Sequence, residues 1–219
     1  MLKIISTSDG SSTIYVPELD EHYHSTFGAI SESMHVFIGA GYRSSTLNPV
    51  SVFEMGFGTG LNALLTLYES MKDRRKVDYV SVEKYPLTEN VYSKLNYQAF
   101  FPDKGQDYFS LLHECRWEEA CRISDNFNLL KIRADFSEIL TGRVFDIVYY
   151  DAFSPGKQAE LWSFDILSKA ASLLKPGGIF LTYSAKGQLK RDLEKLGFTV
   201  EHRPGPAGKR HISRAVKKG

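Results

Sequence analysis

Ser51-Val52-Phe53-Glu54-Met55-Gly56-Phe57-Gly58-Thr59-Gly60-Leu61-Asn62 is the stretch whose reading decides the fold. A short apolar run ends in an acid, glycines then alternate with other residues, and a helical pattern begins at Leu61. A strand, a tight turn and a helix N-terminus in that order build a ligand-binding corner of an open α/β sheet. Glycine suits such a turn because, lacking Cβ, it tolerates positive φ and lets the backbone approach a ligand. The spacing is G-x-G-x-G. The dinucleotide fingerprint places its last glycine one position later, and no Gly-Lys-Ser/Thr follows to make a phosphate-binding loop.

The acid narrows the ligand. Glu54 stands where a pyrophosphate would lie, and its carboxylate would repel one. It suits a ligand that brings a cation and no phosphate, and S-adenosylmethionine, with a sulfonium and an ammonium, has that character. Gly56, Gly58, Thr59 and Gly60 are then the residues of the turn expected to hold it.

Outward from the corner, Leu61, Leu64, Leu65 and Tyr68 recur at helical spacing, predicting a helix to about Met71. Strand patterns follow at 77–83, 128–135, 145–151, 179–183, 198–201 and 211–216. Helices are expected from Pro86, over 160–175 ahead of Pro176-Gly177-Gly178, and over 186–196. This alternation predicts a mostly parallel, doubly wound α/β sheet with helices on both faces. Residues 1–48 do not fit it and read as an N-terminal extension to a domain at 49–219; residues 96–127 read as a helical insertion.

In such sheets ligands bind at the carboxyl ends of the strands. Glu54, Glu83, Asp135 and Asp151 each close a strand pattern, so four acids share one rim. Glu83 lies 23 residues past Gly60, the distance at which a second-strand acid accepts ribose hydroxyls. Asp135 with Phe136 suits an adenine, offering a carboxylate to the exocyclic amine and a ring to stack on. Asp151-Ala152-Phe153-Ser154-Pro155 follows the fourth strand, where a transferable methyl group would meet its acceptor. Phe153 offers a flat face to a base or to the cofactor.

The 219 residues suffice for one α/β domain with an extension, and 42% hydrophobic with 24% charged residues is ordinary for a globular protein. No apolar run approaches the ~20 residues of a membrane span, and no export signal is apparent, so a cytoplasmic location is expected. Cys115 and Cys121 lie in a helical-looking segment with no second Cys/His pair, so they read as reduced thiols and no metal site is expected. The net charge of +1 conceals an asymmetry. From Lys186 onward there are 10 Lys/Arg against 3 Asp/Glu, which suggests an anionic partner.

Together these residues resemble a known family. Glu-x-Gly-Phe-Gly-Thr-Gly-Leu-Asn, Asp-Ala-Phe-Ser-Pro with Leu161-Trp162 beyond it, and Gly205-Pro206-x-Gly208-Lys209-Arg210 are similar to the methyltransferase domain of the MnmC family. Glu21-His22-Tyr23-His24-Ser25, Gly28-Ala29 and Glu32-Ser33-x-His35-Val36-Phe37 extend the likeness to the N-terminus. The resemblance implies a class I, Rossmann-like methyltransferase that uses S-adenosylmethionine to methylate the aminomethyl group on the wobble uridine of tRNA. It implies that Glu54, Gly56, Gly58 and Gly60 hold the methionine end, Glu83 the ribose and Asp135 the adenine side. Asp151 would face the reacting amine, either orienting it or taking its proton. Tyr23 would close over the cofactor, and Lys209, Arg210 and Lys186 would face tRNA phosphates. Many family members carry a flavin-dependent oxidase that this chain lacks, so a stand-alone domain supplied by a separate upstream enzyme is expected. His211-Ile212-Ser213 also departs from the acidic residue expected after Lys-Arg. Alternatives are a small-molecule amine methyltransferase, an aminopropyl transferase, or a non-catalytic tRNA-binding relative.

Overall fold

The structure, a computed structural model, describes residues 2–101, 105–140 and 142–219. In chain order the strands are β1 (Lys3–Ser6), β2 (Ser12–Val16), β3 (Glu21–His22), β4 (Val50–Met55), β5 (Val77–Glu83), β6 (Ala120–Ser124), β7 (Phe127–Arg133), β8 (Phe145–Tyr150), β9 (Leu174–Thr182), β10 (Phe198–Pro204) and β11 (His211–Lys217). The helices are α1 (Ala29–Ser33), α2 (Leu61–Asp73), α3 (Glu89–Tyr92), α4 (Gly105–Glu114), α5 (Phe164–Ser172) and α6 (Gly187–Lys195).

The first three strands form a small antiparallel sheet, and the other eight form the main sheet in the order β10-β11-β9-β8-β4-β5-β7-β6. Its inner strands β9, β8, β4, β5 and β7 run parallel, and β6, β11 and β10 pair antiparallel at the edges. This is the doubly wound, Rossmann-like α/β architecture that the alternation predicts. From β4 the chain winds to β5 and β7 on one side, then to β8 and β9 on the other. The order therefore reverses between β4 and β8, which opens a crevice at their carboxyl ends.

Strand alternation assigns the faces. Val50 and Val52 of β4 pack with Leu64 and Leu67 of α2, while Phe53 and Met55 pack with Leu167 of α5 and Leu193 of α6. By the same parity Glu54 points to the α2 face. Residues 1–48 are not a loose arm: Ile14, Val36, Phe37 and Tyr42 share the buried cluster of Val52 and Leu64. Fully burying side chains of this kind contributes about 1.5–3 kcal/mol each.

Two expected elements differ. The segment expected to be a helical insertion, 96–127, holds α4, but Ala120–Ser124 is the edge strand β6, paired to β7. Cys121 therefore lies on a strand, and Cys115 just beyond α4. The edge of β7 would otherwise leave its backbone groups unpaired, and that tertiary demand overrides a weak local pattern. Pro176-Gly177-Gly178 does not close a helix. α5 ends at Ser172, and Gly177, at φ 77°, lies within β9 where its register against β8 shifts.

Candidate active site

A cavity of about 800 Å³ occupies the crevice at the carboxyl ends of β4, β5, β7 and β8. One end is lined by Glu83, Lys84, Tyr85 and Asp135, the other by Asp151, Glu32, Tyr183 and Lys209. The N-terminal residues 21–27 cross its open side. Ser154 Oγ donates to Glu21 Oε2 at 2.5 Å, and the Tyr23 ring meets Phe153 edge to face at 5.0 Å, so this segment is tied to the loop after β8.

The glycine turn has the backbone its sequence requires. Gly56, Gly58 and Gly60 have φ of 93°, 50° and 73°. A Cβ on Gly58 would stand 3.1 Å from the Tyr23 ring. One on Gly60 would stand 3.0 Å from His113 Nε2, on the side of α4. Gly56, Gly58 and Thr59 line the cavity, whereas Gly60 sits behind its wall as the residue that lets α2 begin. Thr59 is gripped from two sides: His113 Nε2–H donates to its carbonyl at 3.1 Å, and His24 Nε2 pairs with its hydroxyl at 2.8 Å. Burial pushes both imidazoles down to about 4, so both are neutral near pH 7.

The four strand-end acids have different surroundings. Glu83 lines the cavity and accepts Gly58 N–H at 3.0 Å and Tyr85 N–H at 2.8 Å, joining β5 to the glycine turn. Glu54 is fully buried one layer behind the cavity lining. Ser81 Oγ donates to its Oε2 at 2.7 Å, while Oε1 has no hydrogen-bond partner among the described residues. Burial, reinforced by the nearby Asp151, pushes the Glu54 carboxyl up to about 8. Asp151 is half-buried on the cavity wall, and Asn62 Nδ2 on the first turn of α2 donates to its Oδ2 at 2.8 Å. Burial pushes Asp151 up to about 7, and the Asn62 bond works against that rise.

Asp135 is already engaged. Lys84 Nζ lies 2.8 Å from its Oδ2, and Ser137 donates N–H and Oγ–H to its Oδ1 at 2.8 and 2.7 Å. Lys84 and then Ser137 hold its carboxyl well below the usual range. An exocyclic amine would have to share this carboxylate with Lys84. Phe136, expected as a stacking face, is 4% exposed and packs against Phe53 and Tyr150.

The C-terminal basic residues separate. Lys186 and Arg210 are exposed, as a phosphate-facing role requires. Lys209 instead turns into the cavity, with Nζ 3.9 Å from the centre of the Tyr183 ring and ion-paired with the buried carboxylate of Glu32. Glu32 also accepts Ser25 N–H at 2.8 Å. Lys209 therefore belongs to the same cavity as Gly58 and Asp151, although 151 positions separate it from Gly58. Asn62, Glu32, His113 and Tyr183 carry these contacts and were given no role by the sequence. Asn62 carried a signal as the polar residue closing the glycine motif, and Glu32 stood in the N-terminal stretch that extends the family likeness, whereas His113 and Tyr183 carried none.

The family described as S-adenosyl-L-methionine-dependent methyltransferase matches residues 97–218. The tRNA 5-methylaminomethyl-2-thiouridine biosynthesis bifunctional protein MnmC of Cupriavidus metallidurans is 30% identical over 227 residues, covering 95% of this chain and 33% of the relative. The MnmC protein of Leptospira borgpetersenii is 30% identical over 220 residues, covering 88% and 32%. The chain thus spans about a third of the length of these relatives. Among solved structures, MNMC2 from Aquifex aeolicus superposes with a TM-score of 0.81 at 25% identity, covering 100% of this chain and 70% of that one. Spermidine synthase from Thermotoga maritima gives 0.59 at 14% identity, covering 99% and 73%, a likeness of fold alone.

Proposed function

Because the chain belongs to the S-adenosyl-L-methionine-dependent methyltransferase family, we propose that it methylates the primary amine of 5-aminomethyl(-2-thio)uridine at the wobble position of tRNA, giving the 5-methylaminomethyl nucleoside. The observation that carries the reading is the chain's 30% identity, over 95% of its length, to a protein named for the biosynthesis of that nucleoside. A half-buried carboxylate, Asp151, stands opposite the Glu83 end of the cavity, as an amine acceptor requires. An activity that uncovers the primary amine acts before this one.

The residues fit the cofactor. A Cβ at Gly58 would crowd the Tyr23 ring at 3.1 Å on a backbone already at positive φ, and Glu54 keeps a buried oxygen without a hydrogen-bond partner among the described residues. Gly56, Gly58 and Thr59 would hold the methionine portion, with the Glu54 carboxyl one layer behind them, protonated near pH 7 while the site is empty and drawn toward ionisation by the cations of the cofactor. Glu83 would accept the ribose hydroxyls, and Asp135 would border the adenine. When bound, the cofactor supplies an electrophilic methyl carbon on a sulfonium.

The chain's own residues align the acceptor and manage its proton. An aliphatic amine with a pKa of ~10.4 must lose a proton before attack, which costs about 4 kcal/mol near pH 7.4. Asp151, held by Asn62, accepts a hydrogen bond from the amine and takes its proton as the C–N bond forms. Tyr23, Phe153 and Tyr183 border the cavity and limit water around the reacting groups. Most of the rate gain comes from positioning.

Methyl-labelled cofactor tests the reading. Label should pass to tRNA isolated from cells that accumulate aminomethyl-uridine, and nucleoside analysis should return methylaminomethyl-uridine. Label passing to a pool of small amines and not to tRNA would refute it.

A further inference from the structure

One large aromatic ring at the acceptor end of the cavity has no part in the chemistry above. Phe27 lines the cavity yet is 56% exposed, in a protein whose other phenylalanines mostly fill the core. Removing such a ring from water is favourable, so a ring left in solvent at the mouth of a site invites an occupant.

The ring is also mounted rigidly. It lies against the backbone of Gly208, whose φ is 83°, and a Cβ there would come within 2.3 Å of a ring carbon. Gly208 is the residue before Lys209, so the turn that aims Lys209 at Glu32 also forms the seat of the ring. On its other side the chain is pinned at each position. Thr26 O accepts Ser8 N–H at 2.9 Å, Phe27 N–H donates to Ser25 Oγ at 3.2 Å, and a Cβ on Gly28 would stand 2.6 Å from Asp9 Oδ2. Asp9 is in turn held by Ser31 N–H at 2.9 Å and Ser11 N–H at 3.0 Å. An exposed ring fixed in this way loses little conformational freedom on meeting a flat ligand, which is the condition for an efficient stacking surface.

Resting on the tRNA reading, we propose that Phe27 is the stacking platform for the acceptor base: the modified pyrimidine leaves the anticodon stack and lays its face on the Phe27 ring, with its 5-substituent directed into the cavity toward Asp151. Recognition of single-stranded RNA commonly works through splayed bases stacked on aromatic side chains. Every base has a π-face, so this contact gives affinity and orientation, not sequence choice. Lys209 beside Gly208 closes the same end of the cavity, and Arg210 is exposed next to it for the flanking phosphate.

The test uses the whole chain with an anticodon stem-loop carrying aminomethyl-uridine. F27A and F27L should each raise the KM for the stem-loop by roughly five- to a hundredfold, the scale of a lost base–aromatic stack, and leave the Kd for S-adenosylmethionine within about twofold. F27Y should retain the wild-type KM. F27W should show stem-loop quenching beyond that of Trp117 and Trp162 in the wild-type protein, a difference that a purely structural ring would not give. A wild-type KM in F27L would show that bulk and not a π-face is required, and would overturn the platform while leaving the methyl-transfer reading intact. Absence of transfer to any stem-loop by the wild-type protein, with cofactor still bound, would overturn the tRNA reading and the platform with it.

Discussion

The pair Asn62–Asp151 offers the sharpest test of the proposed chemistry. The rate depends on two titrating groups: Asp151, which must be ionised, and the acceptor amine, which must be neutral. Asp151 is pushed up to about 7 by burial. With the amine near ~10.4, the logarithm of the single-turnover rate should climb with a slope of two below pH 7 and a slope of one above it. The break marks Asp151. Asn62 Nδ2 donates to the carboxylate at 2.8 Å from a side chain that is 2% exposed, so little water replaces it when it is removed. A hydrogen bond to a charged group is worth about 1.5–3 kcal/mol, and one pH unit corresponds to 1.36 kcal/mol. Asn62→Ala should therefore move the break upward by roughly one to two units, to about 8 or above. Asp151→Asn should abolish the break and leave a slope of one throughout, at a lower rate. The assay is rapid-quench methyl transfer to a stem-loop at saturating cofactor from pH 5.5 to 9.5. A break that stays at 7 in Asn62→Ala, or a wild-type profile with a single slope, refutes the reasoning.

Glu83→Ala should weaken S-adenosylmethionine binding by about 1.5–3 kcal/mol in calorimetry; unchanged affinity would remove Glu83 from the site. Glu54, raised by burial to about 8, binds more protons in the native than in the unfolded state between pH 4.5 and about 8, so it makes stability fall as pH rises through that window. Glu54→Gln should lessen that fall by an amount on the order of a few kcal/mol, read by urea unfolding at pH 5 and pH 8; equal losses in wild type and variant would show that Glu54 is ionised in the native state. Arg210→Ala should shallow the log–log salt slope of tRNA binding by about 0.7–0.9 without changing thermal stability. Lys209→Ala should instead lower the melting temperature, because the buried Glu32 carboxylate loses its partner at a cost of roughly 1–3 kcal/mol; a melting curve identical to wild type contradicts the ion pair.

Much of the frame was legible because it depends on local patterns. Period-two apolar runs marked the inner strands, and three glycines at alternate positions marked the corner. An acid at each strand end marked the rim. Where local patterning was weak, tertiary pairing decided. Ala120–Ser124 alternates poorly and becomes a strand because β7 offers it an unpaired edge. Leu174–Gly178 becomes part of β9 because β8 extends alongside it and Gly177 supplies the positive φ that the shift in register needs.

The sequence by itself determined the sheet class, the glycine turn and the set of acids, since each is written in neighbouring residues and the backbone geometry they favour. Only the tertiary structure decided which of those acids meet solvent and what holds them. Glu54 is the next-to-last residue of β4 and pairs with Ser81, whereas Glu83 closes β5 two residues further along on the same face, so α2 seals the first and the second reaches the cavity. The contacts that shape the acceptor end join Asn62 to Asp151 across 89 positions and Glu32 to Lys209 across 177. No local pattern encodes such pairs. They exist because closing the sheet brings α2, the segment crossing the cavity and the turn before β11 around one crevice, where a buried charge must find its partner.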